Sequence, residues 1–476
     1  MNSCLKDSVK VLSMKKSDLQ HLYSRAGFGI GYEQLKSLEQ KSKSENIAAL
    51  FSNSDSFDPL LLDLSELEAM VLVNRSQGMA RMDKSTMRDF LKQSREKLKD
   101  FNYAWIERMK NPDAVLNEKM TLFWANVFVC RDNNIFFAQQ FHNTLRKNAL
   151  GNFGDFVKKV SKEPSMSKYL NNRQNVKESP NENFARELME LFTLGIGNYS
   201  EEDIHEAARA FTGWSFRRDG EFFLRQKKHD YGKKTFLGES GNFDGDEIID
   251  IILDQKQCSR FICSKVYRYF VNPVIDEDHL EEITTVFYKD YDIKNLMHHI
   301  FSAEWFYQEK NIGIKIKSPI ELLVGIQTVI PVEFQEKKQL LYLQRMMGQT
   351  LLYPPNVAGW QGDKNWIDSN TLMFRMKLAS LLLSNASINL DEKGEFEDSF
   401  EKYYKNQNNK KRFLKVTRSW EVFDLQYKNI SPEELKQTLL ISKIDPDTAR
   451  FLSKLTIQDN RMYCVQLMSI PEYQLC

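Results

Sequence analysis

The chain of 476 residues carries almost no net charge: 66 Lys+Arg stand against 65 Asp+Glu, a balance of +1. A general nucleic-acid footprint, which shows as basic excess or a basic stripe, is therefore not expected. Apolar runs are short as well. None approaches the ~20 residues a membrane span needs, so no span is expected. The first thirty residues hold no apolar core of the signal-peptide kind, and the expected location is cytoplasmic. Six cysteines (Cys4, Cys130, Cys258, Cys263, Cys464, Cys476) form no Cys-x-x-Cys pair, so free thiols in a reducing compartment are expected. Several chemistries lack their signatures. There is no phosphate loop, and Gly27-Phe-Gly-Ile-Gly31 has neither the preceding strand nor the spacing of a dinucleotide fingerprint. Neither His-Glu-x-x-His nor Gly-x-Ser-x-Gly occurs.

Aromatics, by contrast, are plentiful (32 Phe, 18 Tyr, 7 Trp), and 12 Pro is few for this length. Helical periodicity recurs along the chain, giving an expected fold that is mainly α: a large multi-helical single body with a small β-hairpin insertion near 214–226. Residues 1–16 read as a loose leader, 17–385 as the helical domain and 386–476 as a C-terminal helical extension with a lysine-rich stretch. A long charged helix is expected over 84–110, with Phe90, Leu91, Leu98, Phe101, Trp105 and Met109 inward. Asn111-Pro112-Asp113 ends it, with Asp113 placed to cap the next helix. Asp219-Gly220, between Trp214-Ser-Phe-Arg-Arg and Glu221-Phe-Phe-Leu-Arg, is the hairpin turn.

The chain is organised around residues 179–214. Ser179, Pro180 and Glu182 have the pattern of a helix start with a capping box. Glu182, Asn183, Arg186, Glu187 and Glu190 then share one arc; Phe184, Ala185, Leu188, Met189, Leu191 and Phe192 share the other. Gly195 or Gly197 suits the left-handed end, and Ser200 opens a second helix. In that helix Ile204, Ala207, Ala208 and Phe211 face the core, while Glu202, His205, Glu206 and Arg209 face away.

The run Asn181-Glu-Asn-Phe-Ala-Arg-Glu-Leu-Met-Glu-Leu-Phe-Thr-Leu-Gly195, followed by Ala207-Ala-Arg-Ala-Phe-Thr-Gly-Trp214, resembles the core signature of the bacterial domain of unknown function 1800 family. Four further motifs match in order: His21-Leu-Tyr-Ser-Arg-Ala-Gly-Phe-Gly29, His229-Asp230 leading to Lys234-Thr-Phe-Leu-Gly238, Ser318-Pro-Ile-Glu-Leu322 and Pro354-Pro-Asn-Val-Ala-Gly-Trp360. The resemblance covers roughly residues 17–380 and brings no established activity with it. Relatives often carry an export signal. They are often encoded beside a second family resembling secreted sulfatase-like hydrolases, which implies a protein partner of that kind. A family segment that often reads Trp-His-Asn-His-Phe is Trp124-Ala-Asn-Val-Phe128 here, and Phe192 stands where many relatives have histidine. The chain has thus exchanged those histidines for core-forming side chains.

Two functions follow as expectations. The first is an accessory or binding partner protein with a polar pocket around the central helix. The alternative is a hydrolase-like or metal-dependent enzyme using central-helix carboxylates and the His229-Asp230 loop. Its catalytic candidates are Glu187, His229 and Asp230, and its candidate ligands for a divalent metal are Glu187, Glu190 and His229. Glu202 and His205 also have the Glu-x-x-His spacing of dimetal bundles, but such sites need two of these pairs. Arg25, Glu182, Arg186, Trp214, Asn356 and Trp360 are the ligand-binding candidates; Trp360 and Trp366 would wall a recognition loop. Arg25 and Arg375 are expected to pair with carboxylates of the central helix, as structural ion pairs rather than substrate clamps.

Overall fold

Helices begin where short polar side chains stand ready to accept the first free N–H groups. Asp83 accepts from Ser85 (2.8 Å) and Thr86 (3.0 Å) and opens the long helix Lys84–Met109. Ser200, Asp244 and Ser318 form capping boxes with Asp203, Glu247 and Glu321 at the starts of Glu201–Ala210, Gly245–Leu253 and Pro319–Val329. The computed structural model describes residues 13–54, 57–76, 83–384 and 414–476. These hold 22 α-helices and three two-stranded antiparallel sheets, so the chain is mainly α. Most of the expected leader and the lysine-rich stretch lie outside the described residues.

The described chain forms two compact units. One takes the residues up to Phe28 with Lys36–Asn311 and Thr350–Gln361; the other takes Gly29–Leu35, Ile312–Gln349 and the residues from Gly362 on. The C-terminal stretch is therefore not a unit by itself. No described helix is long and apolar enough to cross a membrane.

In the first unit the long helix buries Phe90, Leu98, Phe101, Trp105 and Met109, while Leu91 is half-buried. Asp113 does not cap the following helix, Val115–Val127: Ala114 occupies that position in the left-handed region, with φ 58°. Trp124 is wholly buried among Phe128, Phe153 and Phe156, with its indole N–H donating to the Ala149 carbonyl at 3.0 Å. A side chain of that size removed from water contributes about 2–3 kcal/mol.

The hairpin forms as expected, pairing Trp214–Phe216 with Phe222–Leu224. A second small hairpin, Lys234–Phe236 with Glu239–Gly241, follows it without having shown a strand pattern. In the second unit Val332–Phe334 pairs with Val416–Arg418. There Lys315 and Glu321 form a buried ion pair at 2.8 Å, and Ile316 bridges to Leu475.

Candidate functional site

The central helix starts later than its sequence suggests. Ser179 forms an antiparallel bridge with Val176, and no capping box forms. Instead Asn175 Oδ1 accepts the Asn181 N–H at 2.9 Å, and Asn181 Oδ1 accepts the Asn183 N–H at 3.1 Å. One α-turn, Asn183–Glu187, runs straight into a π-helix, Leu188–Thr193. The Leu194 N–H reaches the Met189 carbonyl at 2.8 Å, and the Thr193 hydroxyl the Leu188 carbonyl at 2.6 Å. The wider turn rotates the register: Leu191 is half-buried, whereas Phe192 and Thr193 are buried. π-segments are rare and concentrate at functional sites. Gly195 and Gly197, at φ 81° and 86°, end the segment as expected.

Its acidic arc lies at the surface. Arg186 bonds Glu182 (3.2 Å) and Glu201 (2.8 Å), with side chains 35%, 39% and 79% exposed, and does not reach Glu190. His205 Nδ1 lies 3.3 Å from Glu182. The opposite edge is more enclosed. Glu187 is half-buried, and burial followed by the neighbouring Glu190 raises its carboxyl above the usual range. The Tyr199 hydroxyl donates to Glu190 at 3.5 Å; burial and then Glu190 push that phenol up to about 12. Tyr169 is also raised, mainly by burial, with the charges of Arg131 and Glu187 acting on it. Arg131 in turn stacks 5.1 Å from the Tyr353 ring.

Two sequence motifs meet this edge. Phe192 packs edge-on against Phe128, with ring centroids 5.6 Å apart. Ala125, Val127 and Phe192 are 7%, 4% and 1% exposed, so apolar core occupies all three positions. Between them Asn126 clamps the loop: its Oδ1 accepts the Trp360 N–H at 2.7 Å and its Nδ2 donates to the Trp360 carbonyl at 3.0 Å. Gly359, at φ 77°, lies where any Cβ would sit 2.3 Å from Asn126 Oδ1.

Other candidates fall elsewhere. Trp360 and Trp366 are buried and line no open wall, while Asn356 is exposed. Trp214 is a buried plug against Phe211 and Phe222. Arg25 is buried and donates to the Asn311 carbonyl at 3.0 Å, while buried Arg375 bonds the Lys317 carbonyl and Gln474. His229 Nδ1 donates to the Thr212 carbonyl at 2.8 Å, and Asp230 serves Arg209 (2.8 Å) and the Gly232 N–H (2.7 Å) rather than its neighbour. Glu206 and Arg209, expected to face away, turn toward this loop and pair at 2.7 Å. His229 does not join Glu187 and Glu190. Among the described residues no three His, Cys, Asp or Glu side chains group to hold a metal ion.

The family model for a protein of unknown function, DUF1800, matches residues 21–475, nearly the whole described length. The chain belongs to the DUF1800 family. No curated protein and no solved structure matches it. The DUF1800 match extends well past the motif-bearing part and takes in the C-terminal helices. Within this DUF1800 chain the residues that sequence reasoning missed are Asn126, Arg131, Tyr169, Tyr199 and Tyr353. An asparagine isolated among Trp124, Val127 and Phe128 was the one available signal.

Proposed function

We propose that this DUF1800 protein is a non-catalytic accessory protein that binds a partner through the edge formed by Arg131, Tyr169, Glu187, Glu190, Tyr199 and Tyr353. The reading rests on one observation: the positions of Ala125, Val127 and Phe192, where the family resemblance places histidines, are filled by packed apolar core around Phe128. The edge beside them remains polar and aromatic, the composition of a recognition surface. The partner class suggested by the resemblance is a sulfatase-like hydrolase. The test is co-purification of the tagged full chain with such a partner. Loss of the complex in Arg131→Glu and Tyr353→Ala, with retention in Glu304→Ala, an exposed residue outside this edge that pairs with Lys43, supports the reading. Retention in all three refutes it.

The second reading, an enzyme, is favoured by the half-buried Glu187, whose raised carboxyl is that of a general acid. Stoichiometric metal in the purified protein, lost in Glu187→Ala/Glu190→Ala, would move the assignment to it.

A further inference from the structure

Whole-chain charge balance hides one local imbalance. Backbone bonds hold the turn Asn172–Gln174 and the segment after it against the turn Gln226–Lys228. The Lys177 N–H donates to the Lys228 carbonyl at 2.9 Å, and the Gly213 N–H to the Asn175 carbonyl at 3.0 Å. Arg225 Nη2 donates to the Arg173 carbonyl at 2.6 Å. The two segments joined in this way carry Arg173, Lys177, Arg225, Lys227 and Lys228.

Counter-ions are scarce there. Glu178 pairs with Lys228 at 3.2 Å. Glu221 is held by Arg217, and both Asp230 and Glu206 by Arg209. Among the described residues neither Arg173 nor Arg225 has a carboxylate within ion-pair distance. Arg173 is exposed and lies over the Phe216 ring at 5.0 Å. Arg225 is half-buried, and its Nε–H is buried with no acceptor among the described residues. Burial, and then the charge of Arg173, hold the Arg225 guanidinium below its ordinary range. A partly desolvated cation beside a like charge is unfavourable, and an anion between the two relieves both costs. Planar guanidinium forks match the oxygens of a tetrahedral dianion and donate in pairs.

We propose that Arg173 and Arg225 form a seat for a tetrahedral oxyanion, phosphate or sulfate, either free or as the terminal group of an ester, with Lys177 and Lys227 beside it. This goes beyond the accessory reading and does not depend on it. The test is isothermal titration of the full chain with inorganic phosphate, inorganic sulfate and glycerol 3-phosphate at constant ionic strength, with chloride as reference. Saturable binding of an inorganic anion identifies a free ion as the occupant, and binding of glycerol 3-phosphate alone identifies an ester. In either case Arg173→Gln, which leaves the backbone carbonyl used by Arg225 in place, is expected to weaken binding at least tenfold. Lys256→Gln, in the helix Lys256–Phe270 where Lys256 pairs with Glu281, is expected to leave it unchanged. The same loss in Arg225→Gln would add support. No saturable binding of any of the three anions, or equal binding by Arg173→Gln and wild type, overturns the proposal.

Discussion

Asn126 holds Trp360 by both edges of one amide, accepting its N–H at 2.7 Å and donating to its carbonyl at 3.0 Å. The partners fix the amide's orientation, since only the oxygen can accept and only the nitrogen can donate. The clamp ties the end of the helix Val115–Val127 to the Pro354–Trp360 loop, a sequence separation of 234 residues. Asn126→Ala strands two partly buried backbone groups, each costing about 1–3 kcal/mol. A loss of roughly 2–6 kcal/mol is expected, read as a lower urea midpoint at unchanged slope. Asn126→Asp keeps only the acceptor and is expected to fall between the two.

Arg186 sits among Glu182 and Glu201 with all three side chains substantially exposed. Solvent and salt screen such a network, so Arg186→Ala is expected to change unfolding free energy by no more than about 0.5 kcal/mol. A loss several times larger would show that the network is shielded from water.

The helices were legible because their punctuation is local. Ser200 caps the helix that its spacing announces, and Asp83, Asp244, Ser318 and Ser431 cap theirs through the same short polar side chains. The failures around the central helix have non-local causes. Ser179 satisfies every local rule for a helix start, yet the Asn175 side chain captures the Asn181 N–H and moves the start downstream. The π-segment Leu188–Thr193 has no signature at a 3.6-residue period, because its extra residue is accommodated by tertiary packing. Trp360 looked like a ligand wall because sequence shows an aromatic residue without its burial. The clamp by Asn126 was invisible for the same reason, joining two motifs that are distant in the chain.

Deep in the first unit, Glu118 accepts from Arg146 Nε at 2.6 Å and Nη2 at 3.1 Å, and from the Trp105 indole N–H at 2.9 Å. Both charged side chains are nearly inaccessible, 4% and 2% exposed. Removing one partner leaves the other charge uncompensated, at a cost of about 3–5 kcal/mol. Glu118→Leu and Arg146→Met are each expected to destabilise by that amount. The double variant is expected to recover much of the loss, because well-packed apolar replacements avoid the desolvation of both ions. Additive losses in denaturant unfolding would show that the pair acts through packing instead.

Glu163 precedes the short helix Pro164–Tyr169 and is buried, with one oxygen accepting from the Thr144 hydroxyl at 2.5 Å. Burial raises its carboxyl from 4.5 to about 7, against the lowering effect of Thr144 and Gln140. The folded chain thus keeps a proton that the unfolded chain releases. Stability from this group is complete below the unfolded value of 4.5 and declines as pH rises through about 7. The interval corresponds to roughly 3 kcal/mol. Buried His142, lowered to about 3 by burial and then Arg146, has the opposite slope: its contribution is lost as pH falls below the ordinary value of 6.5. The raw profile therefore mixes opposing terms, and the informative quantity is the difference between wild type and Glu163→Gln. The amide cannot ionise, so the variant is expected to gain on wild type by roughly 3 kcal/mol as pH rises from about 4.5 to about 7.5. A difference that does not vary with pH would mean that Glu163 is ionised in the folded protein throughout this range.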